Sequence, residues 1–193
     1  ATSCLGIDKL GVKNGTYEVL SGSAPIAAHI LHNPRLKISL LPSSPALSGA
    51  EVELIEQANR EYRLREAIQS ISDRYDYILI DCPPSLNLLT VNGLVAARDG
   101  VMIPVQCEYL ALEGLGQLIK TLNKVRNKLY PELKVRGVVM TMFDGRTKLA
   151  NDVVNEVKKH FPVEVFKAVI PRSIRIAEAP SYGVPITMYA PAS

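Results

Sequence analysis

Apolar positions along this chain follow two alternating rhythms. Nearly continuous apolar runs recur at LKISLL (36–41), YDYILI (75–80), GVMIPV (100–105), VRGVVMT (135–141) and EVFKAVI (164–170). Each has the length of a strand, and runs apolar at nearly every position are what strands covered on both faces require. Between the third and fourth runs, Leu115, Leu118, Ile119, Leu122, Val125 and Leu129 recur at helical spacing, with Lys120, Lys124 and Lys128 on another face. That is a long amphipathic helix. Leu149, Val153, Val154, Val157 and Phe161 repeat the pattern and stop at Pro162. Strands alternating with helices predict an α/β fold, a mainly parallel sheet with helices on both faces. No repeat or low-complexity linker divides it, so residues 1–193 read as a single domain. The ends are less regular. No strand is expected before the first helix-like run of ATSCLGIDKLGVKNGTYEVL, and PSYGVPITMYAPAS is expected to close without a terminal helix.

Composition narrows the class. Apolar residues make up 47% of the chain and charged residues 21%, an ordinary globular balance. The net charge of +3 is too small to imply nucleic acid by itself. The lysines of the long helix read as a solvated face in preference to a nucleic-acid stripe. No apolar run approaches the roughly 18 residues that would span a bilayer, and ATSCLGIDKLG has no basic region followed by an apolar core. A soluble, unexported protein is the expectation. Cys4, Cys82 and Cys107 form no C-x-x-C pair, which suits reduced thiols in a cytosol. Cys82 reads as a small core hydrophobe at a strand end in preference to a reactive thiol. His29 and His32 form an H-x-x-H pair without a third ligand nearby, and no metal site is read there.

The chemistry concentrates in RYDYILIDCPPSLNLL, where an apolar run ends in Asp81. In open α/β sheets ligands bind outside the carboxyl ends of the strands, so a carboxylate there faces the crevice. It could hold Mg²⁺, through water, beside phosphates. It could equally serve a turn, since Pro83, Pro84 and Ser85 suit a turn leading into a helix at Leu86. The expected companion, G-x-x-x-x-G-K-[ST], is absent, and the sequence contains no Gly-Lys pair. The nearest imitation, GIDKLGVKNGT, places Val12 between Gly11 and Lys13 and reads as a turn-rich surface loop.

Five segments, AEVELIEQANREYRLREAI, YDYILIDCPPSLNLLTVNGLVAA, VMIPVQCEYLALEGLGQL, TMFDGRTKLANDVV and VIPRSIRIAEAPSYGVPI, resemble the ParA/Soj chromosome and plasmid partitioning ATPases, in order and across nearly the whole chain. DCPPSL, PVQCEY and EAPSYG separate it from the MinD relatives and the nitrogenase iron protein. The resemblance implies a P-loop NTPase-like fold of the SIMIBI type, incomplete at its N-terminus. It begins only beyond the family's second strand, so the lysine-bearing phosphate loop and the hydrolytic aspartate are unmatched, as are the last helices. It also implies ATP and Mg²⁺ as cofactors, a homodimer, nonspecific DNA and a ParB/Spo0J-type centromere-binding partner. No membrane is implied, and the expected place is the cytoplasm, on the nucleoid. By that likeness Asp81 is the Walker B carboxylate, catalytic and Mg²⁺-holding through water. Thr141, Met142, Pro171 and Arg172 would lie near the adenine, and Arg146 and Arg175 would contact DNA. Because DGRTK and PRSIR both follow strand ends, their cations could converge on one surface. Two further readings stay open: a paralogue without a Walker A loop, acting as a non-hydrolysing binding module for DNA or a full-length partner, and a MinD-like regulator. The absence of a C-terminal basic amphipathic helix weighs against the latter.

Overall fold

The computed structural model describes residues 1–83, 85, 87–162 and 164–191. They form two compact units, Ala1–Ala96 with the residues from Arg175 onward, and Ala97–Ile174.

The first unit is mostly short helices: α1 (Thr16–Ser21), α2 (Ala50–Leu54), α3 (Arg63–Gln69) and α4 (Leu88–Ala96). At the start of α1 the Glu18 carboxylate accepts from Gly15 N at 2.6 Å, satisfying a donor the helix leaves open. Leu20, Ala50, Leu54 and Leu64 form its core, with Ile80, Leu88 and Leu89 packed against them. One buried polar side chain joins the helices. Asn92, 1% exposed, accepts from Leu64 N at 3.1 Å and donates to Arg60 O at 2.7 Å and Leu88 O at 3.0 Å. The EAPSYG motif closes on the N-terminal loop: Gly183 has φ of +65°, and a Cβ there would lie 2.7 Å from Gly6 Cα. Only glycine allows both the backbone turn and that approach.

Two expected strands differ here. LKISLL shortens to β2 (Ile38–Leu40), which pairs antiparallel with β1 (Leu31–Asn33) as a separate hairpin and not within a parallel sheet. The cause is local: the Asn33 side chain accepts from Leu36 N at 3.1 Å and Lys37 adopts φ of +52°, so the chain reverses before the apolar run begins. YDYILI forms no strand among the described residues. It is unpaired, with Ile80 on the core and Tyr77 and Leu79 at 87% and 90% exposure. An apolar run marks a segment that could be buried, whereas a strand exists only beside a hydrogen-bonding neighbour. Pro84 and Leu86 lie outside the described residues, and the helix that follows begins at Leu88.

The second unit holds the parallel sheet, β3 (Val101–Gln106), β4 (Val135–Phe143) and β5 (Val165–Pro171), in the order β3-β4-β5. The crossovers are α5 (Leu110–Lys128) and α6 (Lys148–His160), the two helices the periodicity predicts. Thr147 caps α6, its hydroxyl accepting from Ala150 N at 3.3 Å. Val138, Met140, Val153 and Val157 are at most 1% exposed and form the centre. Coverage of both strand faces is not observed. Ile103 and Val105 are buried while Met102 is 55% exposed, and Phe166, Val169 and Ile170 of β5 are exposed. In the first unit, near the C-terminal end, a single turn, α7 (Ile186–Tyr189), starts after Pro185 where no helix was expected. A residue whose φ is already fixed favours starting one there.

Candidate functional site

Asp81 is exposed, and its Oδ2 lies 2.6 Å from the Ala1 nitrogen. Ile80, packed into the core, fixes the approach to it. A cleft of about 620 Å³ opens beside it, with Thr16, Ser43, Glu51, Asp81, Cys82 and Asn87 among its walls. Glu51 Oε1 is buried without a partner among the described residues. The Cys82 residue is exposed, but its sulfur lies close over Gly93. Burial and then the Asp81 charge push this thiol up, so it is a poor nucleophile as it stands. The expected core placement of Cys82 therefore holds for its sulfur alone. A smaller cleft, of about 330 Å³, lies on the β1–β2 hairpin between Leu5, Ile7, Leu31 and Leu36. It is mainly apolar and has no convergent charge.

The second unit gathers polar groups at the carboxyl ends of its strands. Cys107 N donates to Thr141 O at 2.9 Å and Thr141 Oγ1 to Val105 O at 3.3 Å, which ties the end of β4 to that of β3. Arg172 N donates to Phe143 O at 3.0 Å, and Pro171 stands opposite Phe143 in the register, tying β5 to β4. Met142, between those two ties, has φ of +54°, a left-handed conformation uncommon outside glycine. Thr141, Met142, Pro171 and Arg172 are thus assembled at adjacent strand ends. The Arg172 guanidinium pairs with Glu108.

Arg146 is 90% exposed yet engaged. Its Nε and Nη2 donate to the two Asp144 carboxylate oxygens at 2.9 and 2.7 Å, and its backbone N–H adds a bond to Oδ1 at 3.1 Å. These bonds, side chain first, lower the Asp144 pKa to about 2, and the charge of Arg172 adds to the effect. Arg175 belongs to the first unit. It donates to Glu178 at 3.2 Å, and Tyr189, stacked on Tyr182 at 4.9 Å, donates to the same carboxylate at 3.0 Å. The Tyr189 hydroxyl and the Glu178 charge raise the Arg175 pKa. Both arginines proposed for DNA therefore carry a local carboxylate that sequence reasoning missed. Asp144 was within reach of it, since D-G-R is an Asx-turn pattern, whereas nothing around Glu108 marks it as a partner of Arg172. Among the described residues no cluster of three metal-ligating side chains occurs, and no helix is long and apolar enough to cross a membrane.

A family model described as an AAA domain matches residues 1–135. The chain is 49% identical to the chromosome partitioning protein ParA of Myxococcus xanthus over 190 residues, covering 98% of this chain and 66% of that protein. It is 48% identical to the sporulation initiation inhibitor protein Soj of Bacillus subtilis, covering 100% of this chain and 76% of that one. Among solved structures, cobyrinic acid a,c-diamide synthase from Mycobacterium smegmatis, crystallised with ADP and magnesium, superposes with a TM-score of 0.81 at 37% identity, over 93% of this chain and 72% of that one. The fold is accordingly that of the P-loop NTPases, and the chain belongs to the ParA/Soj family of chromosome-partitioning ATPases.

Proposed function

We propose that the full gene product is an ATP-dependent partitioning switch that dimerises with ATP and Mg²⁺, holds nonspecific DNA on the nucleoid and is released when a ParB/Spo0J-type partner stimulates hydrolysis. One observation carries the reading: the DCPPSL aspartate stands exposed at the end of an apolar run, in a chain 48% identical to Soj over 193 residues. Asp81 suits a water-mediated hold on Mg²⁺, because an exposed carboxylate with free lone pairs can accept from the ion's waters. When bound, the ion would neutralise phosphate charge. Thr141, Met142, Pro171 and Arg172 offer a strand-end platform for the adenine, with the Arg172–Glu108 pair fixing one side. Arg146 and Arg175 supply phosphate contacts without base readout. Solution in the cytoplasm is the setting this requires.

The residues present fit only part of the nucleotide. Without a Gly-Lys pair, no segment of these 193 residues supplies the N–H cradle and lysine that neutralise the phosphates. Calorimetry on the 193-residue chain should show weak ATP binding or none; micromolar, Mg²⁺-dependent binding would expose an unrecognised phosphate site. In the full gene product, Asp81→Ala should lower Mg²⁺-dependent turnover by orders of magnitude with the fold retained. Near-normal turnover would return Asp81 to a turn, and no turnover in the unaltered protein would favour the binding module.

A further inference from the structure

We propose that the solvent face of α5, with the start of β4, is a DNA-phosphate surface of the second unit, separate from Arg146. The proposal rests on the DNA reading above and assigns it a place that reading does not use.

Lys120, Lys124 and Lys128 follow one another four residues apart on α5, at steps of about 6 Å along the axis. They stand on the side away from buried Leu115, Leu122 and Val125, and all three are exposed. The helix does not end the patch. Arg126 Nε donates to Leu133 O at 2.8 Å, which holds the next residue, Lys134, by the last turn. Val101 N bonds Lys134 O at 2.9 Å, and a Cβ on Gly100 would lie within 3.3 Å of both the Lys134 and Arg136 side chains. Lys134 and Arg136 are exposed as well.

None of these five cations has a carboxylate partner among the described residues. Arg146, Arg172 and Lys159 are each ion-paired, whereas Lys120, Lys124, Lys128, Lys134 and Arg136 make no ion pair among the described residues. The acidic groups nearest in sequence are Glu113, seven residues before Lys120, and Glu132 in the loop. Binding to phosphate here would displace only counterions, while Arg146 must also leave Asp144. DNA fits better than an acidic protein: Gln117, Asn123 and Asn127 are exposed before and between the lysines, and no large apolar side chain is exposed from Glu113 to Arg136. Amides and lysines serve phosphate oxygens, whereas protein interfaces need buried aromatic or aliphatic anchors. The stripe starts midway along α5 and runs toward the amino ends of β3 and β4, where Lys134 and Arg136 stand, away from the strand ends that hold Thr141 and Met142. DNA and nucleotide would not compete.

The test is a salt series on nonspecific duplex DNA with the ATP-loaded full gene product, comparing wild type, K120Q/K124Q/K128Q and R146A/R175A. Helicity by circular dichroism serves as a control, because Lys128 also favours the helix C-terminus. The lysine variant should lose affinity equally on unrelated sequences, and its log–log salt slope should become shallower by up to about 2.7 per protomer. K120R/K124R/K128R should restore both. An unchanged slope in the lysine variant, with a reduced one in the arginine variant, would overturn this surface and leave the DNA reading standing. Absence of DNA binding by the wild type would end both. An unchanged slope with lost stimulation by the centromere-binding partner would move the stripe to a protein contact and likewise overturn it.

Discussion

Asp144 and Arg146 form a closed pair, three bonds between groups two residues apart, and such a pair sets its own titration. The Asp144 pKa is lowered from 3.8 to about 2, so whatever the pair adds to stability is present above the ordinary carboxylate value and is lost as pH falls toward 2. An NMR titration of the carboxyl carbons should place Asp144 near 2 in the wild type and higher in Arg146→Ala, though still below its ordinary value because the backbone N–H of residue 146 and the Arg172 charge remain. An unmoved midpoint in the variant would mean the pair is absent in solution. Asp144→Asn should free the guanidinium and, in the ATP-loaded full gene product, tighten nonspecific DNA binding and steepen the salt slope by about 0.9 per protomer. At this scale the sequence was readable for the acid that ends an apolar run and for cations after strand ends. It was silent on which carboxylate each cation meets, because Glu108 and Arg172 are 64 residues apart and find each other only through the sheet.

Elements were legible in proportion to how far their signal is local. α5 and α6 repeat their apolar positions over several turns, and Thr147 and Pro162 mark where α6 starts and stops. β3, β4 and β5 also stand near where apolar runs placed them. LKISLL failed because its partner is its own upstream neighbour across a turn, and YDYILI because a run cannot name the strand beside it. Asn92 was hidden for a different reason: a polar residue in VNGLVAA reads as a surface position until the Leu64 N–H is brought against it. Asn92→Leu should leave that buried donor and the Arg60 carbonyl unsatisfied and cost about 2–3 kcal/mol in urea unfolding. A loss below about 0.5 kcal/mol would mean water satisfies both groups.

For the molecule as a whole, the resemblance carried the family while the seven site residues divide between units, Asp81 and Arg175 in the first and Thr141, Met142, Arg146, Pro171 and Arg172 in the second. No periodicity in the sequence announces that division, since it arises from contact density and not from composition. Proteases need several residues of backbone free of secondary structure, and the segment around Tyr77 and Leu79 offers them with the aromatic and aliphatic side chains chymotrypsin prefers. Limited digestion of the 193-residue chain should cut first there, ahead of the half-buried Tyr62 and buried Tyr130, giving fragments of roughly 9 and 12 kDa out of 21.1 kDa. Resistance at Tyr77 would show that another strand covers the run in solution, turning a digestion pattern into a measure of how complete the sheet is.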